Sequence, residues 1–218
     1  MYADENTSET ILHELAVEGK AKVIKFLLEK EELKNLIVGN LLMQDNLGYN
    51  PLMSATKANK NGKAIIEMFL NFLLDYMTNP NQLESLLKAS SMCNETLFTL
   101  LVRNVGEENF SHTRSLLFSL LKKHFDERKL VDWFLELTKQ VRESKTNNLS
   151  NVAMKELIRL GDEVKVDFKS VLTKQSKFGN TLLMKLAMKV KDEALREILT
   201  NTRTSKYVSL LFKTMPTL

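Results

Sequence analysis

The sequence predicts an all-α fold, a solenoid of helical hairpins, on three observations. Glycine (7) and proline (3) are scarce among 218 residues, while Leu, Lys, Glu and Met are plentiful. Straight-chain side chains lose little rotamer freedom in a helix, whereas Gly and Pro disrupt it. The β-branched runs with period-two alternation that mark strands are nearly absent. A short segment also recurs: "SETILHELA" at 8–16, "GYNPLMSAT" at 48–56 and "GNTLLMKLA" at 179–187, with a weaker "TLFTLLV" at 96–102.

Each copy leads into a helical apolar stretch: "KVIKFLLE", "AIIEMFLNFLL", "HTRSLLFSLLKKHF" and "EALREIL". The unit is therefore polar turn, short helix, polar gap, second helix. Ile11, Pro51, Leu97 and Leu182 hold one position of the unit, so the steps are 40, 46 and 85, the last about two repeats. Self-similarity at such a period marks stacked helical arrays. The expected repeats are 8–42, 43–89, 90–126, a degenerate 127–167, and 168–201, with a capping helix at 204–214, all in one domain spanning 1–218.

Local chemistry supports each element. Thr10, Thr96 and Thr181 precede helices, where a hydroxyl accepts a backbone N–H. Pro51 stands in a first turn, where its missing N–H is not needed. Gly48 and Gly179 suit the positive φ of a tight turn. Small Ala16, Ala55 and Ala187 allow close helix approach, and Leu12, Leu52 and Leu183 point into the stack. The stretches "EELKNLIVGNLLMQDNLG", "NPNQLESLLKASSMCN" and "VDFKSVLTKQSKFG" read as long connections, each with a helical turn of its own. In 127–167, "KLVDWFLELTKQV" is amphipathic through Leu130, Trp133, Phe134 and Leu137, Gly161 ends a second helix, and Trp133 is either a buried anchor or an exposed hot spot.

The stretch "DNLGYNPLMSA" at 45–55 resembles an ankyrin repeat, whose core reads D-x-x-G-x-T-P-L-H-x-A. Asp45, Gly48, Pro51, Leu52 and Ala55 match; Asn50 stands where the family has Thr and Met53 where it has His. Thr10, Leu12 and His13 match in the first copy, with Ile11 in the Pro position. Gly179, Thr181 and Leu183 match in the last, and Thr96 alone in the third. The resemblance implies that the His13 imidazole bonds within the turn framework. Ankyrin units run 33 residues, so these are lengthened. A HEAT or armadillo array suits the period too, but the repeated turn and TxLH element favour the ankyrin type.

Composition narrows the function. The lone Cys93 forms no internal disulfide, which fits a reducing compartment. The polar, acidic N-terminus lacks a signal-peptide pattern. A cytoplasmic or nuclear location is expected, and four Asn-x-Ser/Thr triplets, at Asn6, Asn94, Asn109 and Asn148, read as chance. The longest apolar run contains Glu67, Asn71 and Asp75 and is too short to span a bilayer, so no membrane insertion is expected. His13, His112 and His124 form no metal-ligand spacing, and no phosphate loop, dinucleotide fingerprint or hydrolase motif occurs. No enzyme activity, catalytic residue, metal or cofactor is expected. The methionines read as gap-filling core.

The net charge of +4 is uneven: residues 1–109 carry 10 Lys/Arg against 15 Asp/Glu, and residues 110–218 carry 21 against 12. The basic lysines are interleaved with acids and lack an aromatic stacking platform, so an acidic protein surface is favoured over nucleic acid. Repeat stacks bind proteins on an extended concave face. The resemblance implies partner-binding residues at the turn tips, Tyr49, Glu95 and Asn180 with Phe178 alongside, and on the first helices, Glu14, Ser54 and Lys185. Tyr49 and Phe178 lead, as aromatics expected to be exposed. The alternatives are a repeat portion of a larger channel, signalling inhibitor or pathogen effector, and an enzyme on a helical scaffold.

Overall fold

A computed structural model describes residues 7–105, 107–126, 128–130, 132, 133 and 200. The chain divides into two compact units, Met1–Asp126 and Glu127–Leu218. Of the second, only short pieces are described; Leu130 and Trp133 there are buried, which decides Trp133 in favour of an anchor. The remainder of the expected degenerate repeat and of repeat 168–201, and the capping helix 204–214, lie outside the described residues.

The first unit is helical, with no strand among the described residues beyond an isolated bridge between Ser90 and Thr96. Its helices are α1 (Ile11–Val17), α2 (Ala21–Leu28), α3 (Lys34–Leu42), α4 (Pro51–Ala55), α5 (Gly62–Tyr76), α6 (Pro80–Lys88), α7 (Leu97–Val105) and α8 (Glu107–His124). The hairpins α1–α2, α4–α5 and α7–α8 fall on the three expected copies. Helices at equivalent positions pack on one another: α1 on α4 and α4 on α7, α2 on α5 and α5 on α8, and α3 on α6. The connections hold more than the single helical turn expected of them. A 3-10 turn at Glu31–Leu33 feeds the nine-residue α3, and the nine-residue α6 starts at Pro80 with the Asn79 side chain accepting from the Asn81 N–H at 2.9 Å. Leu83, Leu86 and Leu87 of α6 and Ile37 and Leu41 of α3 are buried. That burial stabilises the extra helices and accounts for the lengthened period.

The core follows the spacing. Leu12, Ala16, Leu52 and Ala55 are fully buried, as expected of them. In α5, Ile65, Ile66, Phe69, Leu70, Phe72 and Leu73 bury a broad stripe, because α2, α4 and α8 surround that helix. Fully burying one such side chain contributes about 1.5–3 kcal/mol relative to exposure. Met53 and Met77 belong to this core, but Met43 and Met92 are exposed, so the methionines do not all fill gaps inside.

The turns before α4 and α7 share one geometry. The Asp45 N–H donates to the Tyr49 carbonyl at 2.8 Å, and the Ser91 N–H to the Glu95 carbonyl at 2.9 Å. Asp45 Oδ1 accepts from the Leu47 and Tyr49 N–H groups at 2.9 and 2.8 Å; Ser91 Oγ accepts from Cys93 and Glu95, both at 3.2 Å. The same position takes positive φ in all three copies: Ser8 (58°), Gly48 (82°) and Asn94 (57°). The tips are also bonded in series. Asn46 N–H donates to the Thr7 carbonyl and Met92 N–H to the Leu47 carbonyl, each at 2.9 Å.

His13 ties the first helix to the second turn. Its Nδ1 accepts from the Thr10 N–H at 3.0 Å and lies 2.9 Å from the Thr10 hydroxyl. Its Nε2 donates to the Tyr49 carbonyl at 2.9 Å. The partners set the tautomer: a carbonyl only accepts, so Nε2 carries the proton, and Nδ1 must stay bare to accept a backbone N–H. The Thr10 hydroxyl also stands in a capping box, in which it accepts the His13 N–H while the His13 ring accepts the Thr10 N–H, so its expected capping role holds. Asn50 caps as well, accepting from Met53 N–H at 2.9 Å, and Thr96 accepts from Thr99 N–H at 3.4 Å.

Burial lowers the His13 pKa from its ordinary 6.5, outweighing the Tyr49 carbonyl, Asp45 and Glu9, which raise it. The folded chain therefore prefers neutral imidazole, and the unfolded chain binds the proton first as pH falls. The stability is present above pH 6.5 and is lost as pH drops through the lowered folded value. Urea denaturation at neutral pH and at about pH 5 should show a loss of stability that shrinks in His13→Gln. At neutral pH, His13→Ala should cost about 1–3 kcal/mol, because it strands the buried Thr10 N–H without an acceptor.

Candidate interaction surface

The turn sequences raise two kinds of side chain to the surface. Asp45 and Ser91 turn inward to bond the backbone, and the left-handed Gly48 and Asn94 reverse the chain. The residues between them are pushed outward. Leu47 is 53% exposed and Met92 is 76% exposed, with Met43 and Cys93 also exposed close by in sequence. The hydrogen bond from Met92 N–H to the Leu47 carbonyl joins the two tips directly, so the two apolar residues are presented by adjoining, backbone-fixed turns.

Gly48 cannot be replaced without disturbance. Its φ is positive, and a Cβ there would lie 2.6 Å from the Ser90 carbonyl oxygen, which is backbone and cannot rotate away. This close approach lets the third turn sit on the second.

Beneath the tips lies a polar cluster centred on Tyr49, which corrects the expectation of an exposed aromatic: the residue is 7% exposed. Its hydroxyl donates to Glu95 Oε2 at 2.7 Å, and the Lys57 ammonium stands 3.2 Å from its ring centroid. Burial and then the Glu95 carboxylate push the Tyr49 phenol up from its ordinary value. Arg103 pairs with the other oxygen of Glu95. Burial alone would raise the Glu95 carboxyl, but Tyr49, Arg103 and Lys57 together hold it below its ordinary value, so it stays ionised at neutral pH.

The other expected contact residues divide. Glu14 is exposed on α1. Ser54 is buried, a correction to its place on an exposed helix side, because every residue of the short α4 is enclosed by α1, α3, α5 and α7. Glu95 is half-buried and occupied by Tyr49 and Arg103, so it acts first as a tie between turns. Phe178, Asn180 and Lys185 lie outside the described residues. Sequence reasoning missed Leu47, Met92, Lys57 and Arg103. A column alignment of the copies carries the signal for the last two: Lys57 follows Pro51 by six residues, as Arg103 follows Leu97.

The sequence matches no protein-family model and no curated protein. Among the described residues, no helix is long and apolar enough to cross a membrane, and no three His, Cys, Asp or Glu side chains are grouped to hold a metal ion.

Tyr49→Phe should destabilise the fold by about 1.5–3 kcal/mol, the range for a hydrogen bond to a charged group, when measured by chemical denaturation. Gly48→Ala should cost about 1–3 kcal/mol through left-handed strain and the Ser90 contact. An alanine variant as stable as the parent chain would contradict the close approach of the two turns.

Proposed function

We propose that the chain is a non-enzymatic protein-interaction module, an ankyrin-like stack of lengthened helical hairpins that takes a partner protein on its turn tips and first helices. The observation that carries this reading is the pair of large apolar side chains, Leu47 and Met92, exposed on adjoining turns whose backbones are bonded to each other. Apolar side chains held rigidly at the surface cover area on a partner at low ordering cost, and loops carried by a rigid scaffold are where binding residues concentrate. The ankyrin type, rather than a HEAT or armadillo array, is supported by the recurring turn and by His13, which links one turn to the next. The surface proposed here replaces Tyr49 and Ser54 with Leu47 and Met92 and retains Glu14. An acidic partner patch facing the basic residues 110–218, with Phe178, Asn180 and Lys185 in contact, remains part of the proposal.

Leu47→Asp combined with Met92→Asp tests it. The parent chain, immobilised in full, should retain a stoichiometric partner from lysate. The double variant should lose that partner while its helical circular dichroism and melting temperature stay those of the parent. Undiminished capture by a folded double variant would remove the tips from the binding surface.

A further inference from the structure

The two apolar side chains raised on the turn tips differ in chemistry. Leu47 is a hydrocarbon, whereas Met92 carries a thioether sulfur that a peroxide can oxidise. Met92 is 76% exposed, more than any other large apolar side chain among the described residues. Met43 is 40% exposed, and Met53 and Met77 are fully buried in the core. A peroxide therefore meets the Met92 sulfur directly, while the sulfur of Met53 or Met77 is reached only after the core has opened.

The backbone that carries Met92 is held without help from its side chain. The Met92 N–H donates to the Leu47 carbonyl at 2.9 Å, and the Ser91 N–H to the Glu95 carbonyl at 2.9 Å. The Asn94 N–H returns to the Ser91 carbonyl at 2.8 Å, and Ser91 Oγ accepts from the Cys93 N–H at 3.2 Å. A change confined to the Met92 side chain thus leaves the turn and its junction in place and alters only what the tip presents. The same change at Met53 would put a polar oxygen inside the packed core.

We infer that Met92 is an oxidation site, and that its conversion to the sulfoxide switches off the apolar tip surface while the fold stays intact. The inference rests on the interaction-module reading and adds the regulation of that surface. The oxidant is a peroxide. A sulfur lone pair attacks one peroxide oxygen, a sulfur–oxygen bond forms and the oxygen–oxygen bond breaks. Sulfur is oxidised by two electrons, the peroxide is reduced, and the leaving hydroxide takes up the remaining proton as water. The product side chain is polar, so burying it against an apolar partner surface requires stripping water from the new oxygen. Leu47 is unaffected, so half of the apolar pair is lost. Sulfoxides are reduced back to thioethers by sulfoxide reductases, which makes the change reversible. Cys93 beside it is exposed as well. A thiol reacts through its thiolate and follows pH, whereas a thioether has no proton to lose.

The test uses the full chain carrying Cys93→Ser, treated with hydrogen peroxide, quenched, digested with trypsin and weighed by mass spectrometry. Cleavage after Lys88 and Arg103 leaves Met92 as the sole methionine of its peptide. Met92 should be oxidised roughly tenfold or more faster than Met53 and Met77, with helical circular dichroism unchanged. Retention on a phenyl column in ammonium sulfate reads the apolar surface without any partner. Peroxide should shorten the retention of the Cys93→Ser chain, and shorten it less once Met92→Leu is added. Untreated Met92→Gln should already elute early. Oxidation of Met53 or Met77 at the rate of Met92, an equal loss of retention with Met92→Leu, or helical signal falling in step with Met92 oxidation would overturn the inference. Partner capture separates the two readings. A partner lost by the Leu47/Met92 double variant but kept by the oxidised chain overturns the switch and leaves the surface standing. A partner kept by the folded double variant removes the surface and the switch together.

Discussion

The structure depends on how one turn is held against the next. A helix of five residues, such as α4, is too short to persist alone, since nucleation is unfavourable and a single turn recovers few bonds. It persists because its first turn is fixed from outside. An acceptor on Asp45 or Ser91 binds two backbone N–H groups, a left-handed residue reverses the chain, and the tip donates to the carbonyl of the preceding tip. Without those bonds the short first helices would have no fixed starting point, and the buried faces of α1, α4 and α7 would have no register.

The third helices extend the same logic to the far side of each hairpin. An added segment raises the entropy cost of each unit, so it survives only where it buries enough apolar surface to offset that cost. Ile37 and Leu41 of α3 and Leu83, Leu86 and Leu87 of α6 do so, and α3 packs on α6. The period of 40 and 46 residues thus reflects two packed columns of hairpin helices with a third column of connecting helices. The units remain interdependent, since equivalent helices complete one another's burial.

Much of this was legible in the sequence. The positions of the three described copies, their helical hairpins and the burial of Leu12, Leu52, Ala16 and Ala55 follow from the recurring heptad and its helical spacing, while the framework role of His13 is what the ankyrin resemblance implies. The connecting helix α6 was legible as well, since Asn79–Pro80 before an apolar periodic run is a helix start, but the run was weighed as a single turn. Tyr49 was misread because its burial depends on Glu95 and Lys57, 46 and eight residues away, and no local period reports such a pairing. Ser54 was misread because α4 is enclosed on all sides, so the usual exposed stripe of a surface helix does not exist there. Leu47 and Met92 looked like ordinary turn residues; only the left-handed turn geometry decides which side chains are raised.

The two junctions of the first unit are secured by different chemistry, and the substitutions explain why. Between the first and second copies, His13 Nε2 donates to the Tyr49 carbonyl in a fully buried position. Met53 occupies the equivalent place in the second copy and has no N–H to donate, so the same bond to the Glu95 carbonyl cannot form. Thr99, in the third, keeps only the local half of the histidine's work, accepting from the Thr96 N–H at 2.8 Å. The second junction is secured by the Tyr49 hydroxyl on the Glu95 carboxylate, a charge-assisted bond near the surface, with Arg103 holding the carboxylate ionised. A buried neutral imidazole is insensitive to salt and sensitive to acid. A half-exposed carboxylate between cations responds to both, because ions screen it and protonation removes its charge. The junction that carries Lys57 and Arg103 is therefore the one whose strength follows ionic strength, while the first junction stays indifferent to it.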